Sequence, residues 1–104
     1  MEVQVLYFNG CPSWRTARQR LGEALAQMGR VDVPVGLTPI QTEAEARASQ
    51  FAGSPTILVD GRDLFPGAPL PDGLTCRLYS TSSGMAGSPT VEDLVNALEE
   101  RAAS

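Results

Sequence analysis

The opening run VQVLYF, at 3–8, is β-branched, aromatic and almost continuously apolar, the pattern of a strand buried on both faces. It breaks at Asn9-Gly10. From 12 to 28 the apolar positions move to helical spacing, with Trp14, Ala17, Leu21, Leu25 and Met28 on one stripe and Arg15, Arg20, Glu23 and Gln27 mostly off it. Pro12 suits a first helical turn, which puts Cys11 at the N-cap, and Gly29 closes the helix. A second strand follows at 31–37, where Val31, Val33, Val35 and Leu37 share one face. Pro34 on the other face sends this strand to a sheet edge.

Thr42 can cap a helix over 43–51, with Glu43 and Glu45 in its first turn and Ala44, Ala48 and Phe51 as a thin apolar face. Gly53 ends it. PTILVD, 55–60, is a strand closed by the turn pair Asp60-Gly61, with Arg62 and Asp63 continuing the turn chemistry. The Pro/Gly-rich stretch 62–73 has no regular pattern. LTCRLYS, 74–80, alternates as a strand, with Leu74, Cys76 and Leu78 on the core side and Thr75, Arg77 and Tyr79 facing out. After the loop TSSGMAG, Ser88-Pro89 opens a last helix bearing Val91, Leu94, Val95 and Leu98, with Glu92 and Asp93 early.

The expected order is therefore β-α-β-α-β-β-α. It predicts an α/β fold over 1–104 as a single domain, a central mixed four-stranded sheet with helices on both faces. The chain has 104 residues, 42% hydrophobic, enough for one core. The net charge of −4 disfavours nucleic acid and anionic membrane surfaces as partners. No leader-like start and no membrane-length apolar run is present, so a cytoplasmic location is expected.

The missing residue types narrow the chemistry. The chain has no His, and all eight of its cations are Arg. That excludes imidazole bases, His ligands, Ser–His triads and Schiff-base lysines. No Gly-rich phosphate loop is present, no cofactor is implied, and two cysteines do not make a zinc site. Cysteine, carboxylate, arginine and backbone remain.

The element order, Cys11 in GCPSW and Pro55 in GSPTILVDG together resemble the thioredoxin-like superfamily over nearly the whole chain. They also look like a group of small bacterial thioredoxin-like proteins often labelled alkylmercury-lyase-like. The resemblance implies a redox thiol at Cys11, a cis Ser54-Pro55 bond beside it, and a partner-binding surface of Pro12, Trp14, Ser54 and Pro55. Trp14 stands where such proteins carry a resolving cysteine, and Val5 where dithiol members carry a buried carboxylate. Dithiol reductase activity is therefore not expected, and an external thiol must resolve any adduct at Cys11. The Gly-Gly pair of glutathione-dependent members is missing too.

A free cysteine is most often a small buried apolar residue. Cys11 is set apart by its helix N-terminus, whose dipole favours thiolate, and by Arg15 and Arg18 one and two turns on, which add positive potential. It is expected to be the more reactive thiol. Cys76 reads as a core thiol between leucines, or else as a second thiol that resolves Cys11 or shares a soft metal ion with it. The expected activity is thiol redox or thiol transfer with a protein or small-molecule thiol or disulfide. The alternatives are soft-metal or organomercurial handling, with Asp60 or Asp63 as the acid, and a redox-silent peptide-binding module.

Overall fold

Strand β1 (Val3–Tyr7) is the hub of the sheet in the computed structural model, which describes residues 1–66, 74–81 and 84–103. It pairs in parallel with β2 (Val35–Pro39) and antiparallel with β3 (Thr56–Val59), and β3 pairs antiparallel with β4 (Arg62–Asp63). The order β2-β1-β3-β4 makes a four-stranded mixed sheet with β2 at an edge, where Pro34 implied it would lie.

Strand alternation assigns the two faces. Val3, Val5, Ile57 and Val59 pack on Leu21, Ala24 and Leu25 of α1 (Ser13–Gln27) and on Leu94 and Leu98 of α3 (Val91–Ala103). Leu6 and Leu58 point the other way, onto Ile40, Phe51 and Ala46 of α2 (Glu43–Ala48). Helices thus cover both faces. Each fully buried Leu, Ile or Val contributes about 1.5–3 kcal/mol. Gly29, at φ 73°, closes α1 as expected.

Several boundaries differ from the sequence reading. Strand β2 begins at Val35 rather than 31, and Val31 is exposed. Helix α2 stops at Ala48, although Phe51 beyond it is still buried. Its cap is Thr42, whose side chain accepts from the Glu45 N–H at 3.1 Å. Helix α3 is capped by Thr90, which exchanges bonds with Asp93 in a reciprocal box, so Ser88-Pro89 is the buried approach to the helix rather than its start.

The largest difference concerns the fourth strand, which was expected at 74–80. Asp60 and Gly61 both have positive φ, 52° and 81°, as a two-residue type I′ hairpin demands, and they turn the chain straight into β4. Within 74–80 the described structure is an isolated bridge at Cys76, followed by β5 (Tyr79–Thr81). Strand β5 pairs with β6 (Gly84–Ala86) in a separate ribbon that occupies part of the expected TSSGMAG loop. Residues 67–73 of the unpatterned stretch, and 82–83 of that loop, lie outside the described residues. No described helix is long and apolar enough to cross a membrane.

Candidate disulfide site

Beyond β1 the chain makes a tight turn, Phe8 to Cys11, closed by the Cys11 N–H donating to the Phe8 carbonyl at 3.0 Å. Asn9 and Gly10 are exposed at its tip, and the Phe8 ring packs so closely on Gly10 that a Cβ there would overlap it. Pro12 is the N-cap, already at helical φ −68° and ψ −12°, and α1 starts at Ser13. Cys11 therefore lies one residue before the cap, not at it. Pro12 offers no side-chain cap and the first turn holds no acid, so no carboxylate neutralises the positive end of α1 beside Cys11.

Cys76 comes to Cys11 through Ser54. The Ser54 N–H donates to the Thr75 carbonyl at 2.8 Å, and the Ser54 carbonyl accepts from the Arg77 N–H at 2.9 Å. These two bonds bracket Cys76 in a parallel bridge. The Ser54 hydroxyl accepts from the Phe8 N–H at 2.9 Å, which fixes the turn that carries Cys11. One fully buried serine thus ties down both cysteine segments. The result is a Cys11–Cys76 disulfide with a Cα–Cα distance of 5.8 Å, inside the range a disulfide spans.

The two halves of the bond differ in exposure. Cys11 is 1% exposed, whereas Cys76 is exposed. This overturns the placement of Cys76 in the core. The outward face expected for 74–80 is in fact the inward one: Arg77 and Tyr79 are each 5% exposed, while Leu78 is exposed.

The reason is that both inward polar ends find partners. The Arg77 guanidinium pairs with Asp63 at 2.9 Å, bonds the Phe65 carbonyl, and lies 4.6 Å from the centre of the Tyr79 ring. The Tyr79 hydroxyl donates to the Pro55 carbonyl, and its ring meets Phe65 edge-on at 5.4 Å. Burial pushes the Tyr79 phenol above its ordinary pKa; the Arg77 charge opposes this and the Asp63 charge adds to it. Held in this way, although the buried Arg77 Nε has no hydrogen-bond partner, an arginine and a tyrosine displace Leu78 and Cys76 to the surface.

The other expected site residues are distributed as follows. The Ser54–Pro55 bond is cis, as the resemblance implied. Both residues are buried, so they offer no surface to a partner while the disulfide is formed. Pro12 is exposed and Trp14 half-buried, stacked on Tyr7 at 4.2 Å. Arg15 lies over the Trp14 ring at 5.3 Å, and Arg18 is exposed in a shallow groove with Gln19, Gly22 and Val35. Asp60 is exposed and accepts from the Glu2 N–H, and Asp63 is held by Arg77 and the Phe65 N–H.

Sequence reasoning missed Arg77, Asp63 and Tyr79 as supports of the site. Their signal was present but ambiguous: Arg77 and Tyr79 share one parity of the 74–80 alternation, and Asp63 follows a turn able to return it. Comparison with protein-family models, curated proteins and solved structures returned no match.

Proposed function

We propose that this protein is a thioredoxin-like thiol–disulfide redox protein whose working group is the Cys11–Cys76 pair. The observation that carries the proposal is the bond itself, which joins a buried cysteine at the start of α1 to an exposed one on the bridge to Ser54. A disulfide that serves only as a staple gains nothing from having one cysteine at the surface, whereas an exchanging one needs to be reached by a partner. The mixed sheet with helices on both faces supports the same view, as does a thiol before the first helix.

In this scheme Cys76 is the second thiol that position 14 does not provide, so an adduct formed with a partner disulfide is resolved within the pair. The pair accepts two electrons from two partner thiols, or returns them to a partner disulfide. A soft-metal role would use the same two sulfurs, and no cluster of three or more Cys, Asp or Glu poised for a metal exists among the described residues.

Turnover tests the proposal. Catalytic amounts of the protein should accelerate exchange between a small thiol and an aromatic disulfide. Cys76→Ser should remove that acceleration, and Cys11→Ser should lower it, since the remaining Cys76 then depends on the small thiol to release each adduct. Equal rates with and without the protein would leave the bond a staple.

A further inference from the structure

We infer that the pair has a fixed polarity: Cys76 is the sulfur a partner attacks, and Cys11 is the sulfur that leaves. The inference rests on the redox function proposed above and reverses the order that the helix-terminal position of Cys11 suggested in the sequence.

Thiol–disulfide exchange needs the incoming thiolate to reach one sulfur on the side opposite the other. Cys11 is 1% exposed, enclosed by the Phe8–Cys11 turn and the segment that Ser54 holds against it. A partner cannot reach its sulfur without opening the fold. Cys76 is exposed, and Leu78, two residues on, is exposed with it. Access therefore selects Cys76.

The leaving-group chemistry agrees with access. Exchange is faster when the departing sulfur has the lower thiol pKa. Cys11 departs next to the positive end of the 15-residue α1, whose first turn contains no acidic side chain. Cys76, by contrast, lies in the parallel bridge to Ser54, and none of the described helices starts or ends at it.

The steps balance. A partner thiolate forms a bond to the Cys76 sulfur while the Cys11–Cys76 bond breaks, and its electron pair stays on Cys11 as thiolate. A second partner thiolate then attacks the partner sulfur of the mixed disulfide. The partner disulfide is released, and Cys76 leaves as thiolate and takes a proton from water. In reverse, the Cys76 thiolate attacks a partner disulfide and Cys11 resolves the adduct. The helix terminus thus serves the departing and resolving sulfur, and the Ser54 bridge presents the attacking one.

The reduced single-cysteine variants separate these roles. With 5,5′-dithiobis(2-nitrobenzoate) as the disulfide, Cys11→Ser, which keeps Cys76, should react about tenfold or more faster than Cys76→Ser, which keeps Cys11. Equal rates, or a faster Cys76→Ser, would overturn the polarity. Because either variant could fail to fold, the reduced wild-type protein should also be labelled briefly with iodoacetamide and its peptides mapped. Label on Cys76 first is expected, and label on Cys11 first would contradict it. A protein that turns over substrates but labels at Cys11 loses only the polarity. One that labels at Cys76 without turnover loses the redox function and the polarity with it.

Discussion

Ser54 and Cys76 form a single parallel β-bridge, made by bonds to the residues on either side of the cysteine, and the Ser54 side chain at the same time holds the turn that carries Cys11. One buried serine thus supports both halves of the disulfide, its backbone at Cys76 and its hydroxyl at the turn before Cys11. Ser54→Ala leaves the Phe8 N–H without its acceptor, and an unsatisfied group of that kind costs about 1–3 kcal/mol. Urea unfolding of the oxidised protein should show a loss of that size, with the bond still formed.

Two glycines should respond in opposite directions to alanine. Gly53 has φ 103°, and a Cβ there would lie 2.8 Å from the Cβ of Arg77, so strain and overlap act together. Gly53→Ala should cost about 1–3 kcal/mol. Gly22 is exposed in the middle of α1 with open space around it, and Gly22→Ala should stabilise by about 0.5–1 kcal/mol. Thermal unfolding of both variants checks the pair of signs.

Removing Asp63 strands the Arg77 charge in a site that is 4% exposed at the side chain, with the Phe65 carbonyl as its remaining polar partner. Asp63→Ala should cost about 3 kcal/mol, the lower end for a broken buried pair, because Asp63 itself is partly open to solvent. The double variant Asp63→Ala/Arg77→Leu should be less destabilised than the sum of the single ones. A double-mutant cycle with no coupling would contradict this.

Alkaline pH should weaken the fold through Tyr79. Its pKa is raised in the folded state, so above the ordinary tyrosine value of about 10 the unfolded chain has released a proton that the folded one still holds. The stabilisation is fully present below that value and is lost as pH rises towards the folded pKa. Tyr79→Phe should flatten the decline while lowering stability near neutral pH, since it gives up the bond to the Pro55 carbonyl. Denaturant midpoints across pH 8 to 11 would show both effects.

What was legible in the sequence had local causes. The stripe of α1, the edge position of β2 and the Asp60-Gly61 turn each follow from residues a few positions apart. Strand β2 shows the limit of such reasoning. Val33 and Val35 pack on the core as their spacing implied, but Leu37 is exposed, and the strand begins at Val35 because its partner β1 begins at Val3. Segment 74–80 shows the same limit more strongly. Its alternation was visible, yet either face could be the buried one. The choice was made by the Pro55 carbonyl, Asp63 and Ser54, each more than ten residues away. The Cys11–Cys76 bond follows from that choice, so the sequence left its partners as open alternatives.

The midpoint potential of the Cys11–Cys76 couple decides whether this bond exchanges with partners or only staples the fold. It can be read by equilibrating the protein in graded dithiothreitol and glutathione buffers, quenching in acid and counting free thiols. A redox-working pair should titrate at about −120 to −270 mV, the span of known exchanging dithiols, whereas a potential below about −300 mV would mark a structural disulfide and contradict an exchange role.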